Sequence, residues 1–399
     1  MMCVARQLLA KLPMTIRVFG LGLLALHASA ASAADSSDRG VTLEFVYEAA
    51  ASVKSVCLAA DFVGWDSEKL CLQRDELKSQ KFRLQVPRPW STEIQYKFVI
   101  DGKNWVRDPS NPNVISDGHG GSNSYISDTG FRDEPLLVQQ PGTVAWKKRR
   151  LTLPFRTPIE SEQKSDGLAD TRDIVVAFPS SSWIQKNQRD QGRERPRVTV
   201  YFQDGLDYLN QAGAAALLSN LSQMPGMPIY TAVFVPPMDR TEEYGITPAT
   251  WEYEKFLLEQ VIPAVENRWP TGGSARDRIL IGPSLGGLVT LHLAARNPTV
   301  FGNAVSQSGS FWYREQETRD LIASFPDFAE RGPRLFLEVG IWESEKMVAM
   351  NREVRTLLEA KGATLHYREY PTIHRWSAWK NRLREIFETL ALGPAATRP

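Results

Sequence analysis

The sequence predicts an α/β fold, a doubly wound and mostly parallel sheet, with a small all-β domain ahead of it. Three observations carry this. From Thr171 onward, apolar runs of strand length alternate with stretches of helical periodicity. Before residue 130 helical periodicity is absent, and short alternating runs are separated by frequent turns. At Gly282-Pro283-Ser284-Leu285-Gly286-Gly287 an apolar run (279–281) passes abruptly into a helical one (285–296). Strand–helix alternation places helices on both sheet faces, and working groups then belong at the carboxyl ends of the strands.

The 399 residues suffice for two or three domains. A formal net charge of +1 gives a nucleic-acid or membrane-surface role no support. Arg6, Lys11 and Arg17 flank a short apolar core (18–26), and Ala28-Ser29-Ala30 and Ala31-Ser32-Ala33 follow. This reads as a signal peptide over 1–33, cleaved near Ala33. The core is too short to span a bilayer, and no later segment is apolar for long enough. A periplasmic or secreted location is expected. Cys3 leaves with the signal. Cys57 and Cys71 remain, in strand-like pieces separated by a turn, and a disulfide between them is expected, with two buried free thiols the alternative. No His or Cys spacing suits a metal, and no cofactor is expected.

Residues 34–130 form the expected β-sandwich, with strands at 41–47, 55–60, 81–86, 94–100 and 124–127 and a turn at Asp101-Gly102. Residues 131–150 read as a linker. Its periodicity is weak, Pro141-Gly142 is a turn signal, and the basic run Lys147-Lys148-Arg149-Arg150 reads as a solvated face. Residues 151–399 hold the α/β domain. Strands are expected at 171–178, 197–202, 229–235, 278–281, 301–306, 334–339 and 364–370. Helices are expected at 209–221, 250–268, 285–296, 316–324, 349–361 and 377–390, and a surface loop at 185–195.

Gly282-x-Ser284-x-Gly286 between a strand and a helix is the setting of a nucleophile elbow, where a strained turn presents the serine oxygen. A serine nucleophile needs a base, an acid and an oxyanion hole. Of five histidines, His27 lies in the signal and His119 in a Gly-rich loop of the β domain. His292 is eight residues into the elbow helix, roughly 12 Å along its axis. His366 is mid-strand. His374 follows the last strand and is the expected base. The acid should follow a strand between serine and histidine. The strand at 334–339 ends in Gly340-Ile341-Trp342-Glu343-Ser344-Glu345, which makes Glu343 the expected acid and Glu345 the runner-up. Leu285, after the nucleophile, and Gly205 or Leu206, after the strand at 197–202, are the expected oxyanion donors.

Two resemblances add to this. Ala60-Asp61-Phe62-Val63-Gly64-Trp65, the run Tyr96 to Trp105, Asp108-Pro109 and Asn123 resemble the glycogen-binding module family, an immunoglobulin-like sandwich. That resemblance implies glycan contacts at Trp65, Lys97, Trp105 and Asn123, since sugar rings stack on exposed aromatics. The alternative is ordinary sandwich packing in a structural or substrate-shaping domain.

The second rests on Ile281-Gly282-Pro283-Ser284-Leu285-Gly286-Gly287, Phe301 to Trp312 with its Ser306-Gln307-Ser308-Gly309-Ser310 run, Leu337 to Glu343, and His374 with Trp379. Over roughly 145–392 the chain resembles the putative-esterase (esterase D) family, and within it the enterochelin esterases. This implies an α/β-hydrolase fold acting on a small-molecule or glycan-linked ester. Arg240 and Trp312 are the expected substrate contacts, a cation and an aromatic wall suited to catechol, feruloyl or carboxylate groups. The family usually has Gly-Gly before its histidine, where this chain has Thr372-Ile373. Enterochelin esterases of this length are typically cytoplasmic, although periplasmic siderophore esterases occur in the family. The expected function is an exported siderophore-type esterase. The alternatives are a feruloyl or acetyl esterase on polysaccharide esters, a non-catalytic glycan-binding protein, and acyl transfer to a sugar as in mycolyltransferase relatives.

Overall fold

Eight strands come first: β1 (Thr42–Glu48), β2 (Val56–Ala60), β3 (Gln73–Arg74), β4 (Lys81–Pro87), β5 (Ile94–Ile100), β6 (Asn104–Val106), β7 (Val114–Ser116) and β8 (Ser122–Ile126). In this computed structural model the described residues are 42–392, apart from 76–79, 92, 118–119, 128, 156–170 and 191. The expected signal peptide and His119 lie outside them. The strands pair antiparallel in two sheets, β1-β4-β3 and β2-β5-β8-β7, with β6 on β5. Side chains alternate across each strand. Phe45, Phe82 and Val86 of the first sheet therefore meet Leu58, Tyr96 and Phe98 of the second in one apolar core. Cys57 and Cys71 are bonded to each other.

Ten strands follow: β9 (Lys147–Pro154), β10 (Thr171–Phe178), β11 (Arg189–Asp190), β12 (Arg193–Glu194), β13 (Arg197–Phe202), β14 (Ile229–Phe234), β15 (Arg278–Pro283), β16 (Asn303–Gln307), β17 (Arg334–Gly340) and β18 (Leu365–Tyr370). The main sheet runs β18-β17-β16-β15-β13-β14-β10-β9. Strands β14 to β18 in this order are parallel, and β10 and β9 close one edge antiparallel. The inner parallel strands β13 to β17 are buried on both faces, which explains their near-continuous apolar runs, whereas the edge strand β18 is only partly buried. Register sets the site: Pro283 is opposite Gln307, Gln307 opposite Glu338, and Gly340 opposite Tyr370. The loops after β15, β16, β17 and β18 thus leave the sheet along one rim.

Several expectations need revision. The basic run expected to end a linker begins β9, whose outer edge has no strand partner among the described residues. Exposed Lys and Arg there discourage pairing with another chain. The loop expected at 185–195 contains the end of a helix (Ser181–Asn187) and the small hairpin β11-β12. The helix expected at 209–221 is two, Gly205–Asn210 and Ala214–Leu221, broken at Gly213, which has φ 60° and lies so close to the Leu137 carbonyl that a side chain would not fit. The helix expected at 250–268 starts at Pro248 and widens into a π turn over Phe256–Val261, just ahead of Pro263, which has no N–H to offer. The described residues lie within one compact unit. Among the described residues, no helix is long and apolar enough to cross a membrane.

Candidate active site

Ser284 sits between β15 and the helix Leu285–Arg296 with φ 59° and ψ −123°. A side chain strains that backbone conformation, so the surroundings must hold it. Glycines let the strand and helix come close enough to do so. A Cβ on Gly282 would run into the Gly286 carbonyl, and one on Gly287 would lie 2.5 Å from Ser306 Oγ and 3.0 Å from Gly309 Cα.

His374, in the loop after β18, places Nε2 2.9 Å from Ser284 Oγ and Nδ1 2.8 Å from Glu343 Oε2. A carboxylate only accepts, so Nδ1 carries the proton and Nε2 accepts from the serine hydroxyl. Glu343 is buried, and its other oxygen accepts from Ser308 Oγ at 2.6 Å and from the Gly340 N–H at 3.0 Å. Ser308 in turn accepts from Trp379 Nε1 at 3.0 Å, and the Trp379 ring stands edge-on to His374 at 4.9 Å. Ser310 Oγ is 3.1 Å from Ser284 Oγ, and its N–H donates to the Ser284 carbonyl at 2.9 Å. The structure thus brings Ser284, His374 and Glu343 together on the loops of three different strands. Glu345 is exposed at the start of the helix Glu345–Ala360.

The other histidines lie elsewhere. His292 is buried with Nε2 3.1 Å from Thr318 Oγ1, and burial pulls its pKa down to about 4. His366 is on β18, and burial lowers its pKa as well.

Two expected roles are corrected. Of these, the first is the oxyanion donor: the Gly205 N–H donates to the Val235 carbonyl at 3.0 Å and is not free for an oxyanion. Gly205 is required instead because a side chain there would collide with the Phe234–Val235 backbone. Leu206 and Leu285 remain, each in the first turn of its helix, where N–H groups lack intrahelical partners. Arg240 is committed: Nε and Nη2 bond both Asp204 oxygens at 2.7 and 2.8 Å, and Nη2 lies 3.3 Å from the Pro283 carbonyl. Burial pushes the Asp204 carboxyl up, and the Arg240 guanidinium opposes it. Arg240 therefore ties the loop carrying Leu206 to the elbow strand. Trp312 does lie at the rim, 39% exposed in the turn Phe311–Arg314 that follows Ser310, beside Tyr313.

The expected glycan set is divided. Trp105 is 45% exposed and Trp65 half-buried. Lys97 pairs with Asp117 at 3.1 Å, and the buried Asn123 donates to Gln95 at 3.1 Å, so these two are turned to internal contacts.

Sequence reasoning passed over Gln307, Ser308, Ser310 and Glu338 as site residues. Their signals were the Ser306 to Ser310 run and, for Glu338, the Leu337 to Glu343 segment, both read only as family marks. Gln307 Nε2 donates to Glu338 Oε1 at 2.5 Å and to the Trp379 carbonyl at 3.0 Å, and its oxygen accepts from Tyr208 at 2.6 Å. Burial pushes the Glu338 carboxyl up to about 8. Among the described residues, no three His, Cys, Asp or Glu side chains are grouped to hold a metal.

A serine on a strained strand–helix turn, beside a histidine and a buried carboxylate at the carboxyl rim of a parallel sheet, defines a serine hydrolase. The family described as Putative esterase matches residues 187–390, and the chain belongs to that family of carboxylic-ester hydrolases. It is 24% identical over 285 residues to the iron(III) enterobactin esterase of Escherichia coli O6:H1 (strain CFT073), covering 70% of this chain and 66% of that one. It is 29% identical over 187 residues to the uncharacterized protein YbbA of Bacillus subtilis (strain 168), covering 41% of this chain and 72% of that one. The crystal structure of the enterobactin esterase from Shigella flexneri, in the presence of enterobactin, shares the fold with a TM-score of 0.55 at 19% identity, over 88% of this chain and 92% of that one.

Proposed function

We propose that this esterase works through Ser284, His374 and Glu343, acts outside the cytoplasm, and takes siderophore-type esters. The supporting observation is the continuous hydrogen-bond path from Ser284 Oγ through both His374 nitrogens to Glu343. Ser284 Oγ attacks the ester carbonyl as its proton moves to His374 Nε2. Glu343 holds the tautomer and stabilises the imidazolium. The N–H groups of Leu285 and Leu206 receive the developing oxyanion, and each such donor typically contributes about 3–4 kcal/mol to the barrier reduction. His374 then protonates the leaving alcohol. In the second half-reaction it takes a proton from water, whose oxygen releases the acyl group. Ser310 donates to Ser284 Oγ and fixes its rotamer before attack.

Export is supported by the composition of the leader and by the Cys57–Cys71 bond, which persists in oxidising compartments. The substrate class is supported by the likeness to enterobactin esterases and by the aromatic rim at Trp312 and Tyr313. The test is hydrolysis of iron-free and ferric enterobactin beside feruloyl and acetyl esters, by wild type and Ser284→Ala. Enterobactin turnover that is lost in Ser284→Ala supports the reading. Turnover of feruloyl-arabinoxylan with none of enterobactin moves the substrate to polysaccharide esters. Equal hydrolysis of p-nitrophenyl butyrate by both proteins removes Ser284 as the nucleophile.

A further inference from the structure

Glu343 and His374 stand on loops beyond the sheet, where no strand ladder fixes them. The two loops are tied to each other, since the Trp342 N–H donates to the Thr372 carbonyl at 3.1 Å. That bond does not stop them from moving together relative to Ser284. Besides Ser308 and Trp379, which contact the two side chains, their support comes from the core between the N-terminal sheets. The residue before the acid, Trp342, and the residue before the base, Ile373, both pack their side chains against it. Phe62 meets the Trp342 ring at 5.4 Å, edge to face. Lys69 Nζ donates to the backbone carbonyl of Glu343 at 3.1 Å.

Phe62 and Lys69 belong to a single loop. Its base is closed by the Cys57–Cys71 disulfide and by two backbone bonds, Leu58 N–H to Leu70 O at 2.7 Å and Leu72 N–H to Val56 O at 2.8 Å. A closed loop has few alternative conformations, so what it carries is delivered in a fixed place. It holds Glu343 from behind, by its carbonyl and by the side chain next to it, while the carboxylate faces His374. A glycine at position 373, which the family resemblance predicts, would have no side chain to pack there.

We propose that the loop from Cys57 to Cys71 is a positioning element of the esterase. Through Trp342, Ile373 and the Glu343 carbonyl, it keeps the acid and the base in register with Ser284. This rests on the triad reading above. A misplacement of about 1 Å costs on the order of 100-fold in rate, so partial loosening should lower turnover without emptying the substrate site.

The test uses the full chain with p-nitrophenyl butyrate, measuring kcat and KM separately and checking each variant's fold by circular dichroism and thermal melting. Ile373→Gly is expected to lower kcat by about tenfold or more with KM within about twofold. Lys69→Met should lower kcat by roughly fivefold, and Lys69→Arg, which still donates to the carbonyl, should restore it. Dithiothreitol should lower kcat of the wild type, whereas Cys57→Ala/Cys71→Ala should start low and not respond. Wild-type kcat in both folded variants, Ile373→Gly and Lys69→Met, overturns the proposal, as does a rise in KM at unchanged kcat. If Ile373→Gly does not fold, the half-buried Lys69 decides alone. Ser284→Ala and His374→Ala run alongside. If they stay active the triad reading fails; if they are dead while the loop variants match wild type, only the positioning role fails.

Discussion

The proposed nucleophile is shaped by its own neighbours in sequence and pinned by one adjoining loop, through Gln307 and Ser310; its proposed acid and base are held by residues from across the molecule. Ser284 takes its strained conformation within one strand–turn–helix, with Gly282, Gly286 and Gly287 supplying the close approach. Glu343 and His374 are contacted by Ser308 and Trp379 and, on the positioning proposal, depend also on Phe62 and on Lys69, 274 residues before the acid. The first half of the site should therefore answer chiefly to changes in the elbow and in the adjoining Ser306–Ser310 segment. The second half should answer also to changes far away in the sequence.

Glu343→Gln should break the acid–base half alone. The amide NH2 facing Nδ1 favours the histidine tautomer that protonates Nε2, so the serine proton has nowhere to go. We expect kcat to fall about 10³-fold or more with the melting temperature within a few degrees of wild type. Gly287→Ala should break the elbow half in the opposite way. Its Cβ would press on Ser306 Oγ and on the Gly309 backbone, so stability should fall by about 3 kcal/mol or more, read by urea unfolding.

The helix behind the elbow can be tested by pH. The fold keeps His292 neutral down to about 4, whereas an unfolded histidine takes its proton near 6.5. Between those values the unfolded chain binds more protons, so stability is lost as pH falls through that window, by about 3 kcal/mol. Melting temperatures measured from pH 7 to 4 should show the drop, and His292→Gln should flatten it. The smallest effect is expected where the two halves meet. Ser310→Ala removes the hydroxyl 3.1 Å from Ser284 Oγ and should cost about tenfold in the burst rate of p-nitrophenol release, with Ser310→Thr retaining most of it.

The same contrast explains what the sequence reveals. Ser284 is legible because its requirements are consecutive. His374 and Glu343 are legible because strand ends can be read from apolar runs and the order serine, acid, histidine leaves few choices. Partners are not legible. The Gly205 N–H meets a carbonyl thirty residues on, at Val235, and Arg240 meets Asp204 thirty-six residues back. In the sequence both look free for a substrate. The partners of Lys97 and Asn123 are hidden for the same reason, because nothing local says that Asp117 and Gln95 face them. Ser308 and Ser310 sit in a run whose pattern is visible, but their roles require knowing that β16 lies between β15 and β17.

Trp379 shows what this means for redesign. It donates its indole N–H to Ser308, offers its carbonyl to Gln307, and sets its ring edge against His374. Phenylalanine would keep the edge and lose the donor; histidine would keep a donor and lose most of the ring. A library aimed at new esters should therefore leave position 379 fixed and spend its diversity on Trp312 and Tyr313, whose rings bear no hydrogen-bonded link to the acid.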